Sequence, residues 1–76
     1  MTQTVYVAQD STQRAVELLL KLSEIRKDKK ITQKELANLT GIPQNKISNY
    51  ENFRIFPKLD TLLKLASALD VKISII

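Results

Sequence analysis

Residues 32–52 read TQKELANLTGIPQNKISNYEN, with Gly41, the one glycine of the chain, near the middle. Thr32 followed three residues later by Glu35 is a capping box, in which the Thr hydroxyl takes the Glu35 amide and the Glu35 carboxylate reaches back to the Thr32 amide. Leu36, Ala37 and Leu39 then give one apolar face. Gly41 falls just past this run, where a helix commonly ends in a left-handed residue. Pro43 suits the first turn of a new helix and disfavours a helical backbone at Ile42. One helix therefore stops, the chain turns within about four residues, and another starts, which is the spacing of a helix-turn-helix.

The second helix of the pair places Ile47 and Tyr50 inward, with Ile42 beneath them. The opposite stripe is Gln44, Asn45, Ser48, Asn49 and Asn52, all neutral hydrogen-bonding side chains. Asn and Ser are mediocre helix formers, and an ordinary solvated face favours Lys, Glu and Arg. Gln and Asn, however, can pair with both N7 and the N6 amino group of adenine in the major groove. The bland alternative is a polar face without a partner.

Seventy-six residues allow one small domain, for which dimerisation is a natural supplement to a modest core. The chain has no cysteine and no histidine, so disulfides, thiolate chemistry, the common zinc ligands and the commonest general base are all missing. Neither a metal nor another cofactor is expected, and no serine stands in a nucleophile–base arrangement, so an enzyme is not expected. No apolar run is long enough for a membrane span and the N-terminus lacks the regions of a signal peptide, which makes the cytoplasm the expected location. A net charge of +4 favours a polyanionic partner without proving one.

Outward from the central stretch, Ala15, Leu18, Leu19, Leu22, Ile25 and Arg26 share one side of a helix predicted over Thr12 to Lys29, capped by Asp10 or Ser11. Lys27, Lys29 and Lys30 suit the negative end of its dipole. Ile31, just before the Thr32 cap, can staple the next helix. Beyond a loop closed by Pro57, the residues Leu59, Leu62, Leu63, Ala66 and Leu69 mark a fourth helix whose apolar face packs on the core. Arg54 and Lys58 flank the recognition segment and are candidates for phosphate contacts. Thr4 to Val7 is either a short strand or a loose start. The tail alternates, with Val71, Ile73 and Ile75 on one face, and a lone strand must find a backbone partner. The candidates are the N-terminal run and the same strand of a second copy, and the second copy is favoured because such motifs normally act as dimers on two half-sites.

The central stretch, followed by P-x-L-x-T-L-L-K-L-A-x-A-L, closely resembles the helix-turn-helix domains of the Cro and phage-repressor class, also called XRE, from about Ile25 to Val71. The tail strand is similar to that of HipB-type antitoxins, where it pairs with its twin in a dimer. The resemblance implies a compact four-helix, lambda-repressor-like domain over residues 12–70, an N-terminal arm at 1–11, and a dimerising C-terminal strand at 71–76 carrying Val71, Ile73 and Ile75.

It also implies roles. Gln33 matches a phosphate-binding position, Gln44, Asn45 and Asn49 match base-reading positions, Pro43 can touch a thymine methyl, and Ser48 can add a base contact. Asn52 matches a phosphate-binding position, and Thr32, Lys34, Lys46 and Arg54 complete the phosphate set. Arg26 and Glu51 match a structural ion pair between the first and third helices. Three residues depart from the pattern. Phe53 stands where the family has glycine, and because phenylalanine resists a left-handed backbone, Asn52 is expected to take that conformation instead, which weakens the phosphate roles of Asn52 and Arg54. Pro43 and Lys58 replace the usual hydroxyl caps of helices three and four. The implied function is sequence-specific binding of double-stranded DNA by a homodimeric repressor on a palindromic operator. An antitoxin that also binds a cognate toxin, and a protein-interaction module that has kept the fold without DNA binding, are the other readings.

Overall fold

The computed structural model describes residues 2–7 and 12–75. In chain order they form β1 (Gln3–Val7), α1 (Thr12–Asp28), α2 (Gln33–Thr40), α3 (Gln44–Glu51), α4 (Leu59–Ala68) and β2 (Val71–Ile75). Asp10 and Ser11, the expected caps of α1, lie outside the described residues. Among these elements no helix is long and apolar enough to cross a membrane.

Local chemistry sets the helix ends. The capping box of α2 is complete: the Glu35 amide donates to the Thr32 hydroxyl, and the Thr32 amide to the Glu35 carboxylate, each at 3.0 Å. Gly41 closes α2 at φ 75°, its amide donating to the Ala37 carbonyl at 2.8 Å. The other three helices also end in left-handed residues, but none is glycine: Lys30 (φ 58°), Phe53 (φ 58°) and Asp70 (φ 56°).

Phe53, not Asn52, takes the left-handed turn after α3, since Asn52 sits at φ −97°. The reason is visible in the hydrogen bonds. The Phe53 amide donates to the Tyr50 carbonyl at 3.1 Å and the Arg54 amide to the Asn49 carbonyl at 2.9 Å, the paired bonds of a Schellman motif. They satisfy carbonyls that the last turn would otherwise leave open and so offset a backbone cost of roughly 1–2 kcal/mol. Lys30 closes α1 in the same way, with Lys30 donating to Lys27 and Ile31 to Arg26.

The core is one cluster. Leu18, Leu19, Leu22 and Ile25 of α1 meet Leu36, Ile42, Ile47, Tyr50, Leu65, Ala66 and Leu69, with Val5 and Val71 closing one side. Three leucines expected on inward faces are outside it: Leu39, Leu59 and Leu63 are 63%, 67% and 50% exposed. Periodicity places them at the margins of apolar arcs, and the neighbouring helices cover only the centre of each arc. On α2, Thr40 takes the inner edge instead, its hydroxyl donating to the Leu36 carbonyl at 2.8 Å. On α4, Leu65 is buried in place of the marginal leucines.

The N-terminal run is a strand, and it is the partner of the tail. β1 and β2 pair in parallel within one chain, in register from Gln3 with Val71 to Val7 with Ile75. The partner of β2 within the chain is therefore β1, where a second copy was favoured, and the edge of β2 away from β1 stays unpaired, as in any two-stranded sheet. The helices bring the two chain ends together, the Gln3 amide reaches the Asp70 carbonyl at 3.1 Å, and the Thr2 hydroxyl reaches the Asp70 carboxylate at 3.0 Å. A two-stranded sheet is marginal alone. Here Val5 and Val71 are buried in the core and Ile73 packs against it, so the apolar side of the tail serves its own chain.

Lys30 is exposed and left-handed. Lys30→Gly is expected to raise stability by about 1 kcal/mol, or roughly 4–8 °C in the calorimetric midpoint, while Lys30→Ala leaves the midpoint where it is.

Candidate nucleic-acid interface

The aim of α3 follows from its two buried anchors. Ile47 is 1% exposed and Tyr50 is also buried. With those two turned inward at helical spacing, Asn45, Ser48, Asn49 and Asn52 occupy the opposite side and Gln44 its leading flank. Gln44, Asn45 and Asn52 are exposed, and Ser48 and Asn49 are half-buried. Pro43 is exposed at the N-cap, extended at φ −57° and ψ 140°, without a side-chain cap. The first amides of α3 are thus left open toward solvent.

Two residues of the stripe are tied down. The Asn52 side-chain amide donates to the Ser48 carbonyl at 2.8 Å, which fixes both at the end of the helix. Asn49 receives the Arg54 guanidinium only at 3.5 Å, too long for a strong bond, so its amide is open to another partner.

The rotation of α3 is set by one ion pair. Arg26, buried on α1, donates Nε and Nη2 to the two carboxylate oxygens of Glu51 at 2.7 and 2.8 Å, and its Nη1 to the Ile31 carbonyl at 2.7 Å. Gln33 joins from α2, its side-chain amide donating to Glu51 at 3.0 Å. This is an anchor for Gln33 that neither spacing nor motif indicates, and it leaves the amide oxygen and the second amide hydrogen free. Ser23 is buried one turn before Arg26 on α1, a burial that no periodic signal in the sequence indicates.

Around this face the charges are one-sided. Lys34, Lys46 and Arg54 are exposed. Both acids of the motif are engaged internally. Glu35 is in the capping box, where hydrogen bonds from the Thr32 amide and then its hydroxyl hold the carboxyl below its ordinary value. Burial pushes the Glu51 carboxyl up, but the hydrogen bonds from Arg26 and Gln33 and the Arg26 charge outweigh it, so the net shift is down. Thr32 has both its amide and its hydroxyl engaged with Glu35. The assembled surface is a row of neutral amides bordered by cations, with Glu51 ion-paired to Arg26 and Glu35 exposed in its capping box. It can donate to phosphate oxygens at its rim and pair with base edges at its centre.

A helix-turn-helix family model, HTH_3, matches residues 22–76. The chain belongs to this Cro/C1-type family. The family match begins inside α1, so β1 lies outside it. Among curated proteins, the chain is 42% identical over 52 residues to multiprotein-bridging factor 1 of Candida albicans, covering 68% of this chain and 34% of that protein. It is 38% identical over 61 residues to an uncharacterized HTH-type transcriptional regulator of Haemophilus influenzae, covering 80% of this chain and 62% of the relative. The chain thus spans about a third and about three-fifths of these relatives. No solved structure gives a significant match.

Because the Glu51 carboxyl is lowered in the fold, its contribution is fully present above its ordinary value of 4.5 and is lost as pH falls through the folded value. Glu51→Gln is expected to cost about 3 kcal/mol near neutral pH, where it leaves a buried guanidinium unpaired. Urea unfolding at neutral and acid pH checks this: the gap between variant and parent shrinks in acid, and a gap independent of pH would show that the charge is not what matters.

Proposed function

We propose that the chain is a transcriptional regulator that binds duplex DNA sequence-specifically as a homodimer and represses from a palindromic operator. The observation that carries this reading is the outward row of uncharged side chains on α3, bordered by Lys34, Lys46 and Arg54 while both acids of the motif are engaged elsewhere. In this reading α3 lies in the major groove. Gln44, Asn45 and Asn49 read base edges, Ser48 adds a base contact, and Pro43 touches a thymine methyl. Thr32, Gln33, Lys34, Lys46, Asn52 and Arg54 hold phosphates and fix the register. The left-handed Phe53 supports this assignment, because it gives the loop the path that glycine gives in the family and so keeps Asn52 and Arg54 beside the end of α3. Two copies meet half-sites about one helical turn apart, roughly 34 Å. Repression follows from occupancy of promoter DNA, in the cytoplasm.

A second reading, that the chain also binds a protein such as a cognate toxin and acts as an antitoxin, is favoured by the large apolar side chains that DNA binding leaves unused, Phe56, Leu59 and Leu63 among them. Co-purification of a toxin encoded beside the gene would decide it.

The main test is selection of bound fragments from a random duplex pool, which yields the half-site, its symmetry and its spacing together. An unenriched pool would overturn the reading. On the selected site, Gln44→Ala is expected to cost about 1–3 kcal/mol, measured by fluorescence anisotropy, with binding to random DNA unchanged. Lys46→Ala is expected to weaken both DNAs alike and to reduce the salt slope by about one.

A further inference from the structure

The left-handed turn at Phe53 sends the chain back toward α3 and closes with the Arg54 amide donating to the Asn49 carbonyl at 2.9 Å. That bond fixes where the Arg54 side chain starts, beside one member of the amide row. The side chain stays there: its Nη1 donates to Asn49 Oδ1 at 3.5 Å. No carboxylate among the described residues pairs with this guanidinium. Gln44 and Asn45, further along the row, have no such neighbour among the described residues and keep both ends of their amides open.

The contact is too long to hold Asn49 rigidly, but its chemistry leaves one orientation. A guanidinium carries N–H donors and no acceptor. The amide atom that faces it is therefore the oxygen, and the amide dipole lines up with the cation. Ile47 and Tyr50 anchor α3, so the half-buried Asn49 cannot move away as a whole. With its oxygen turned to Arg54, Asn49 has its amide nitrogen and two hydrogens left for a base. An asparagine free of such a neighbour presents both amide ends and pairs with N7 and the N6 amino group of adenine. An asparagine that offers donors alone meets another donor at adenine N6 and at cytosine N4. Thymine gives it one acceptor, and guanine gives it two, N7 and O6.

We propose that Arg54 is a positioning residue for base recognition: it turns the Asn49 amide nitrogen outward, so that Asn49 reads guanine. The proposal rests on the DNA reading above and adds to it the base at one position. It does not compete with a phosphate role for Arg54, because the donors not aimed at Asn49 remain available. The two neighbours on the row differ in consequence. Gln44 and Asn45 are free to pair with adenine through both amide ends, and Asn49 is not.

Selection from a random duplex pool with the parent, Asn49→Ala, Arg54→Ala and Arg54→Lys tests it. Asn49→Ala identifies the base pair that Asn49 reads, as the position whose preference disappears. The parent is expected to prefer guanine over adenine there by about tenfold. Arg54→Ala is expected to move that one position toward adenine and to leave the base preference at the others unchanged. Arg54→Lys again offers donors alone and is expected to keep guanine. In the Asn49→Ala background, Arg54→Ala is expected to change no base preference. Arg54 is exposed and its amide bond survives each substitution, so the helical circular dichroism spectrum is expected to be that of the parent. If Arg54 only held a phosphate, Arg54→Ala would weaken all sequences alike and leave guanine in place, which overturns the proposal. A parent preference for any base but guanine at that position, or an Asn49→Ala variant that selects the parent site, overturns it as well. A pool that the parent does not enrich defeats the DNA reading and this proposal with it, whereas an enriched site whose guanine ignores Arg54 defeats the proposal alone.

Discussion

A single buried ion pair fixes the direction in which the recognition helix faces. Arg26 cannot give up its charge, and with its guanidinium almost out of water it must have partners. Glu51 supplies both carboxylate oxygens in a bidentate fork, which constrains angle as well as distance. Since Glu51 is the last residue of α3, the fork sets the rotation of that helix against α1, while Ile47 and Tyr50 set its depth. Gln33 closes the triangle from α2. A carboxylate in a motif that faces a polyanion is costly only if its charge remains outward, and here it is spent on the core.

The helix ends obey a second constraint. All four helices stop in a left-handed residue, yet only α2 has the glycine for it. At Phe53 the backbone carries a steric cost because the chain must expose the end of α3 and start α4 within a few residues, and the paired amide bonds of the motif compensate. The side-chain identity of the residue therefore says less about the turn than the need to satisfy the last carbonyls does. That is why a reading based on residue preference moved the left-handed position to Asn52, one residue too early.

Much of the fold was legible where the signal is local. The Thr32–Glu35 box, the Gly41–Pro43 break, the inward pair Ile47 and Tyr50 and the boundaries of α1 all depend on residues within two turns of one another. The amide row of the candidate site was legible for the same reason. What depended on distant contacts was not. β1 and β2 are joined by the whole helical domain, and no local pattern states whether a lone strand pairs with its own chain or another. Periodicity gave the apolar arc of α4 but not how much of it the neighbours cover, so Leu59 and Leu63 read as core although they lie outside it. Ser23 and the Gln33–Glu51 bond were invisible because polar side chains carry no periodic signal of burial.

These misplacements bear on function together. The tail strand pairs with β1 along one edge, and Leu59 and Leu63 stay outside the core of the chain. α3 has eight residues, about 12 Å of axial rise, with Gln44 at one end and the Phe53 turn at the other. The amide row runs the whole of that length, from Gln44 to Asn52, and ends beside the Phe53 turn. The same turn that strains Phe53 fixes the direction in which the chain leaves the row for α4.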